Sequence, residues 1–341
     1  MTTRRTIIVI FLSAVLGAVC GCDTHLPAIT LSGDSMGTTF SIVIVEPSAF
    51  PPLDDLQSQI LSRLEHIEDI ASTYRDSSEI GQFNLSLSTD WVIVSEEFCS
   101  MVSRALLVAR ETDGAFDITI GPLVNLWGFG PGGAVSSPPI ASDIEQARSN
   151  IGYAGLNADC ERGAIKKSIP AMQIDLSGWA KGYAVDRLAE LLDAMGMNNY
   201  LIEIGGEIKV KGHNAKDRQF AIAIENPLHQ TEDQLSIIHV SDTGVATSGD
   251  YRNYFVFEGT QYSHTIDPRT GRPIAHNLSA VTVIHRSTAY ADAIATALLV
   301  LGPDEGMTLA NELGIAAYFA ISTSTGLDYR ASDAFSSLPE S

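Results

Sequence analysis

An aspartate and a threonine interrupt an otherwise apolar stretch near the C-terminus, "AYADAIATALLVLG" (residues 289–302). Because Asp292 and Thr296 are four positions apart, a helix would place them on one face. A carboxylate and a hydroxyl suit a hard cation such as Mg²⁺, which commonly takes one or two protein carboxylates and completes its shell with phosphates and water. In the alternative interpretation, both residues only stabilise the helix. Asp292 would lie in its first turn, where the helix dipole favours a negative charge, and the Thr296 hydroxyl would donate to a backbone carbonyl. The stretch alone leaves both interpretations open.

A second motif, "IDLSGWAKGYAVDRL" (residues 174–188), combines small residues with a lysine. A predicted strand ends in Asp175, and Lys181 follows at the start of a predicted helix. Backbone N–H groups at a helix N-terminus can approach an anion closely where the side chains are small, and a lysine adds positive charge. The spacing does not match a Walker loop. The motif predicts a phosphate cradle, and a surface helix after a tight turn is the alternative.

Two further segments carry polar side chains. In "VATSGDYRNYF" (residues 245–255), Thr247, Ser248 and Gly249 are predicted to form a small polar turn between apolar segments. In "YSHTIDPRTGRP" (residues 262–273), His264 ends a predicted strand beside a charged turn. A lone histidine is more often structural than catalytic, but this position favours a general base.

The elements that must position these residues are helices and strands in mixed order. Alternating apolar residues predict a strand over residues 39–45, and apolar residues at helical spacing predict a helix from Leu53. Another helix should begin near Ser95 and stop before Gly114. Strands and helices do not alternate strictly in the second half, so the sequence favours an α+β fold. The length suits one large unit or two interlocked subdomains.

The N-terminus reads as a targeting segment. A basic lead precedes thirteen apolar residues (7–19), too few to span a bilayer but typical of a signal-peptide core. Gly21 and Cys22 resemble a bacterial lipobox, so cleavage would leave Cys22 as a lipidated N-terminus; a plain secretory signal is the alternative. We therefore expect a leader over residues 1–21, a tether over 22–34 and one enzymatic domain over 35–335.

The charge balance limits the partners. The chain has 21 basic and 41 acidic residues. Loss of Arg4 and Arg5 with the leader would leave 19 against 41, a net charge of −22. Such a surface repels nucleic acid and anionic headgroups, so membrane attachment would depend on the lipid. Of the remaining cysteines, Cys99 and Cys160 could form a disulfide in an oxidising compartment or stay as buried thiols.

The ordered motifs "SMGTTF", "DLSGWAKGYAVD", "IGGEI", "ATSGDYRNYF", "HTIDPRTG" and "ADAIATALLVLG" resemble those of the ApbE family, the FAD:protein FMN transferases. The resemblance runs from about Ser35 to the last predicted strand. It implies a T-fold-like α+β architecture of mixed and antiparallel sheets with packed helices, and a cleft between two interlocked subdomains. It also implies a lipid anchor at the periplasmic face of the bacterial inner membrane.

The resemblance further implies Mg²⁺-dependent transfer of FMN from FAD to a threonine hydroxyl of a target protein, with release of AMP. The metal would be held by Asp292, Thr296 and the backbone carbonyls of Ala180 and Ala295, and His264 would be the base for the target threonine. Matched by motif, the flavin-nucleotide contacts would be Met36, Tyr74, Ala115, Phe116, Asp117, Ser177, Lys181, Tyr183, Thr247, Ser248, Gly249 and Ile266.

Two other functions fit the same motifs. One is a Mg²⁺-dependent FAD pyrophosphatase that gives FMN and AMP, and the other is a flavin-binding lipoprotein without turnover. The targets implied by the resemblance are flavoprotein subunits of the sodium-pumping NADH:quinone reductase or of the related ferredoxin:NAD oxidoreductase complex. The chain departs from the family at Ser177-Gly178, where two glycines are frequent, and at Trp179, where an aliphatic residue is frequent.

Overall fold

A computed structural model describes residues 26–46, 52–224, 227, 236–250 and 253–338. Its centre is an eight-stranded sheet in which every neighbouring pair is antiparallel. The strands are, in spatial order, β1 (Ala28–Ser35), β2 (Thr38–Val45), β6 (Tyr200–Ile204), β7 (Glu207–Lys211), β10 (Thr243–Gly249), β15 (Leu278–His285), β16 (Ala316–Thr323) and β17 (Gly326–Ala331).

Four small antiparallel sheets surround this centre in the described part of the chain. One has the order β3 (Val92–Ile93), β5 (Ala164–Lys167) and β4 (Leu156–Asp159). The others are the pairs β8 (Phe220–Ile224) with β9 (Ser236–Val240), β11 (Tyr254–Phe257) with β12 (Thr260–Ser263), and β13 (Ile266–Asp267) with β14 (Arg272–Pro273). Together with the helices they confirm the expected α+β class.

The helices are α1 (Leu53–Ala71), α2 (Glu79–Leu85), α3 (Glu96–Glu111), α4 (Gly121–Leu126), α5 (Ala141–Arg148), α6 (Ser177–Ala194), α7 (Thr288–Glu312) and α8 (Asp333–Ser336), with one 3₁₀ turn at Tyr153–Gly155. Helices α6 and α7 pack on each other and on the central sheet. Their close crossing depends on Gly182, because a Cβ there would lie 2.4 Å from the Thr288 carbonyl oxygen. The crossing brings the lysine motif of α6 beside the Asp292 stretch of α7.

Helix α7 is apolar on nearly all sides because it is a core helix. Among the described residues it alone reaches the length and apolarity of a membrane span, with a mean hydropathy of 1.2 over a window that is 56 % buried within the protein. Its buried residues contact β10 and β15 of the central sheet. Protein packing, rather than lipid, surrounds the stretch that contains Asp292.

The described structure starts at Leu26, and strand β1 changes the predicted tether. Residues 28–34 were expected to be tether, but they pair with β2 along the edge of the central sheet. Leu31 in this strand is buried in the core, and its apolar contacts stabilise β1 in the sheet. Cys22 and the leader lie outside the described residues.

The two remaining cysteines form a disulfide between Cys99 on α3 and Cys160 after β4, with their Cα atoms 5.5 Å apart. This decides between the bond and the two buried thiols that the sequence left open. The bond joins α3 to the small β3–β5–β4 sheet.

The ends of the central strands define two poles. At one pole lie the turn between β1 and β2, the turn between β6 and β7 at Gly205-Gly206, and the end of β10 at Gly249. At the opposite pole, Leu26 donates a backbone hydrogen bond to Ala215, just after β7. The polar site described next lies at the first pole.

Candidate functional site

A cleft of about 370 Å³ opens at this pole, between α6, α7 and the ends of β7 and β10 on one side and the β11–β14 region on the other. Its lining combines apolar, hydroxyl and charged side chains. A second cavity of about 670 Å³ extends it toward α1. The two share four residues, so they are continuous: Tyr74, Ser177, Lys181 and His264.

Asp292 and Thr296 face this cleft from α7, as their spacing predicted. Asp292 is 2 % exposed, and its Oδ2 accepts the backbone N–H of Gly182 at 3.2 Å. The Thr296 hydroxyl donates to the Asp292 carbonyl at 3.0 Å, as the structural alternative required. Since its single proton is used there, the Ser248 hydroxyl donates to Thr296 Oγ1 at 3.1 Å, and this oxygen remains available in the cleft.

Lys181 lies between two buried carboxylates. Its Nζ is 3.2 Å from Glu207 Oε1 and 3.9 Å from Asp292 Oδ2. Burial raises the pKa of Glu207 to about 8, against the attraction of Lys181, and burial also raises the pKa of Asp292. In both carboxyl groups, burial away from water outweighs the attraction of Lys181.

These residues fit a cation. Glu207 Oε2 is buried and has no hydrogen-bond partner among the described residues. A positive ion near Asp292 would balance the second carboxylate and, by its attraction, lower the pKa that burial raises. Nowhere in the described ranges are three or more His, Cys, Asp or Glu placed to hold a metal. An ion held by Asp292 and Thr296 would complete its shell with water and with oxygens of a bound phosphate, as Mg²⁺ commonly does.

His264 follows β12 and faces both cavities. Its Nδ1 lies 2.9 Å from the Asn253 carbonyl oxygen, which can only accept, so Nδ1 carries the proton and Nε2 keeps its lone pair. Burial lowers the pKa of the imidazole below its ordinary value, against the effect of the Asn253 carbonyl. The ring is thus a neutral base at neutral pH.

Comparison with known proteins decides the family. The model of the ApbE family matches residues 36–319. The chain belongs to the ApbE family. A Vibrio cholerae serotype O1 protein named FAD:protein FMN transferase is 39 % identical over 322 residues, covering 94 % of this chain and 96 % of that protein. A protein of the same name from Haemophilus influenzae is 34 % identical, and 95 % of each chain is covered.

Solved ApbE structures share the fold. The flavin transferase ApbE from Vibrio cholerae superposes with a TM-score of 0.85 at 38 % identity, over 91 % of this chain and 99 % of that one. The apo form of Pseudomonas stutzeri flavinyl transferase ApbE gives 0.85 at 38 % identity, over 92 % and 97 %. The expected family, its α+β fold with antiparallel sheets and packed helices, and the expectation of a transferase enzyme are confirmed.

Most of the predicted ApbE site residues come together. The first cavity is lined by Tyr74, Ala115, Phe116, Asp117, Ser177, Lys181, Thr247, Ser248, Gly249, His264, Ile266, Asp292 and Thr296. Met36 and Ala180 line the second cavity. Tyr183 and Ala295 line neither. The Tyr183 hydroxyl donates instead to Glu97 on α3 at 2.7 Å, and Ala295 is fully buried.

Two local predictions for this ApbE site need correction. Residues 247–249 were expected to form a turn, but they are the last residues of β10 and pair with β15. Their small polar side chains occur in a strand because its end borders the cleft. At the start of α6, the N–H of Ser177 donates to Asp175 Oδ1 at 2.7 Å. The predicted phosphate cradle would therefore lack this N–H group, while Lys181 lines the cleft.

Sequence reasoning assigned no role to three residues of the ApbE cleft. Glu207 belongs to the quoted "IGGEI" motif, and its acidic side chain beside two glycines was the available signal. Asn253 orients His264 through a backbone carbonyl, which no side-chain pattern reveals. Phe129 packs edge-on to His264 with ring centroids 6.2 Å apart, and its loop position gave no periodic signal.

Proposed function

We propose that this chain transfers FMN from FAD to a threonine hydroxyl of a target protein and releases AMP. The threonine oxygen forms a bond to the phosphorus on the FMN side of the pyrophosphate, and the bond from that phosphorus to the AMP oxygen breaks. The threonine proton passes to His264 Nε2. The observation that carries this proposal is the joint placement of a neutral His264 and the Lys181–Glu207–Asp292 group in one cleft.

The shape and charge of the cleft support a dinucleotide substrate. The two continuous cavities, of about 370 and 670 Å³, fall in the size range of small-molecule sites. Lys181 supplies positive charge where they meet, and backbone and hydroxyl groups of β10 add polar contacts. In phosphoryl transfer, positioning and neutralisation of charge provide most of the catalysis.

The proposed metal is Mg²⁺, held by Asp292 and Thr296, with the Ala180 and Ala295 carbonyls as further proposed ligands. When bound, it would neutralise charge on the pyrophosphate and on departing AMP. Lys181 then holds Glu207 as an ion pair, so that the metal-binding carboxylate remains that of Asp292.

The proposed location is the periplasmic face of the inner membrane, with a lipid on Cys22. The Cys99–Cys160 disulfide supports an oxidising compartment. The proposed targets are subunits of the sodium-pumping NADH:quinone reductase or of the related ferredoxin:NAD oxidoreductase complex. Mass spectrometry of a co-expressed target should detect an added FMN on threonine.

Purified protein incubated with FAD, Mg²⁺ and a target domain tests the reaction. Covalent flavin on the target, with AMP in equal amount, is expected. Free FMN formed at the same rate with and without target would instead establish a pyrophosphatase, and bound FAD without AMP release would establish a binding protein.

His264→Ala should slow transfer at saturating FAD by about a hundredfold, because a positioned general base commonly contributes that much or more. The dissociation constant for FAD should change by less than about threefold, since the ring makes no charged contact at neutral pH. His239→Ala is the matched control, because His239 is exposed on β9 and does not line the cleft. Equal loss of FAD binding and transfer would make His264 a binding residue.

The transfer rate should depend on pH through His264. Its pKa is lowered by burial, and only the neutral ring accepts a proton. The rate should therefore be constant around neutral pH and fall on acidification, with a midpoint below the ordinary value of about 6.5. Turnover measured from about pH 5 to 8 at saturating FAD and Mg²⁺ checks this. A midpoint above the ordinary histidine pKa would contradict the assignment.

A further inference from the structure

The turn between β1 and β2 has an unusual backbone. Met36 has a φ of 53° and is followed by Gly37 at 73°. Positive φ at both central residues is the geometry of a tight type I′ hairpin turn, where Asn or Gly usually stands first. A methionine is disfavoured there because its Cβ crowds the backbone. Interactions from outside the turn must hold Met36 in this conformation.

Glu68 on α1 supplies those interactions. Its Oε1 accepts the Met36 backbone N–H at 2.7 Å and the Ser35 hydroxyl at 2.8 Å. Its Oε2 pairs with Arg75. The Glu68 side chain is only 17 % exposed, so these charge-assisted bonds are partly shielded from water. One carboxylate thus joins the strained turn to the segment that follows α1.

The two segments joined by Glu68 form walls of the second cavity. Met36 lines this cavity from the sheet side, and Tyr74 lines it from the segment after α1. Arg75, next to Tyr74, also pairs with Glu65 at 2.7 Å and Asp69 at 2.9 Å. The neighbours of Glu68 on α1, Leu64 and Ile67, are buried in the main core. Their packing fixes the position of the helix backbone that carries the Glu68 side chain.

We infer that Glu68 is a positioning residue that holds the Met36 and Tyr74 walls of the second cavity in the shape that receives FAD. The inference rests on the proposed function. Glu68 holds the strained turn in one conformation before FAD binds. FAD binding therefore avoids the entropy cost of ordering the turn. Glu68 itself also borders the second cavity, but its described hydrogen bonds and ion pair go to Ser35, Met36 and Arg75. Because it makes no such bond to His264 or Asp292, its effect is on FAD affinity and not on the chemical step.

Steady-state transfer by the full chain tests this role. Glu68→Ala should raise KM for FAD about tenfold, which corresponds to the loss of a charge-assisted hydrogen bond, and leave kcat within about twofold. Glu68→Gln keeps an oxygen that accepts both turn donors, so its KM should stay within about threefold of the wild type. Glu65→Gln is the matched control, since it removes a carboxylate from Arg75 without touching the turn and should behave as wild type.

An unchanged KM in Glu68→Ala would overturn the inference, as would a Glu68→Gln variant as impaired as Glu68→Ala. Should Glu68→Ala fail to fold, Ser35→Ala replaces it: loss of one of the two turn donors should raise KM by about threefold, and no rise counts against the role. FAD affinity is also measured by quenching of flavin fluorescence without Mg²⁺. If the wild type binds FAD but transfers nothing, the proposed function fails, while this affinity still decides the role of Glu68.

Discussion

Asp292→Asn should reduce the rate of FMN transfer by about a thousandfold or more. Without the metal's charge, the transition state loses several kcal/mol of stabilisation, so the activation free energy rises by that amount. Asp292 is the buried carboxylate of α7 that faces the cleft beside Thr296. Asparagine keeps the size and one oxygen but lacks the charge that a hard cation requires. Transfer assays over a range of Mg²⁺ concentrations measure the loss.

The same substitution should not destabilise the metal-free protein. Burial raises the pKa of Asp292, so the folded state binds its proton more readily than the unfolded state does. The ionised carboxylate is therefore unfavourable in the fold at neutral pH, and its cost is lost as pH falls through the raised pKa. Asparagine should leave the melting temperature unchanged or raise it.

Mg²⁺ completes the test of Asp292. With FAD present, it should raise the melting temperature of the wild type, because a ligand of the native state stabilises it by mass action, and should leave Asp292→Asn unaffected. Asp304→Asn is the matched control on α7, since Asp304 is exposed and pairs with Arg330. A fully active Asp292→Asn variant would refute the metal assignment.

Cys160→Ser should lower the free energy of unfolding by roughly 4 kcal/mol, which the chain-entropy account gives for a loop of this size. The bond closes a separation of 61 residues between α3 and the small sheet. Cys160 is exposed, so serine adds no buried polar group, while Cys99 stays in the core as a small apolar side chain. Thermal and denaturant unfolding measure the change, which should be a fall of roughly 10 °C in melting temperature.

Reductant provides the control for this prediction. Reduced wild-type protein should unfold like Cys160→Ser, and the variant should not respond to reductant at all. Neither cysteine lines the two cavities, so FAD affinity below the unfolding transition should be the same in both. Equal stability of oxidised wild type and variant would show that the bond adds nothing to the fold.

The sequence predicted what depends on local spacing. The i, i+4 relation of Asp292 and Thr296, the helix that buries Leu56 and Ile60, and the strand that buries Ile42 were all readable from periodicity. The ordered motifs, taken as a resemblance, then supplied the family.

What the sequence could not provide depends on contacts between distant segments. Glu68 acts on a turn 32 residues away, and its place on an amphipathic helix looks like that of any other charged residue. Strand β17 was missed because "GLDYRA" has weak alternation and is stabilised by pairing with β16. Tyr183, matched by motif, bonds to α3 instead of entering the cleft, and only packing decides that direction.

The positions of the chain start and the cleft at opposite poles of the central sheet affect the distance between the proposed lipid anchor and the reacting centre. The described chain starts at the pole remote from the cleft, and the eight residues of β1 between the poles span about 25 Å. Leu26 is four positions after Cys22, the site of the proposed lipid, and this separation allows at most about 14 Å. Under the proposed anchoring, the cleft would lie at the end of the sheet remote from the lipid-bearing end of the chain. An acceptor in the same membrane would then have to present its threonine at this remote end of the sheet. The anchor would therefore restrict acceptors by the distance of the threonine from the bilayer as well as by their sequence.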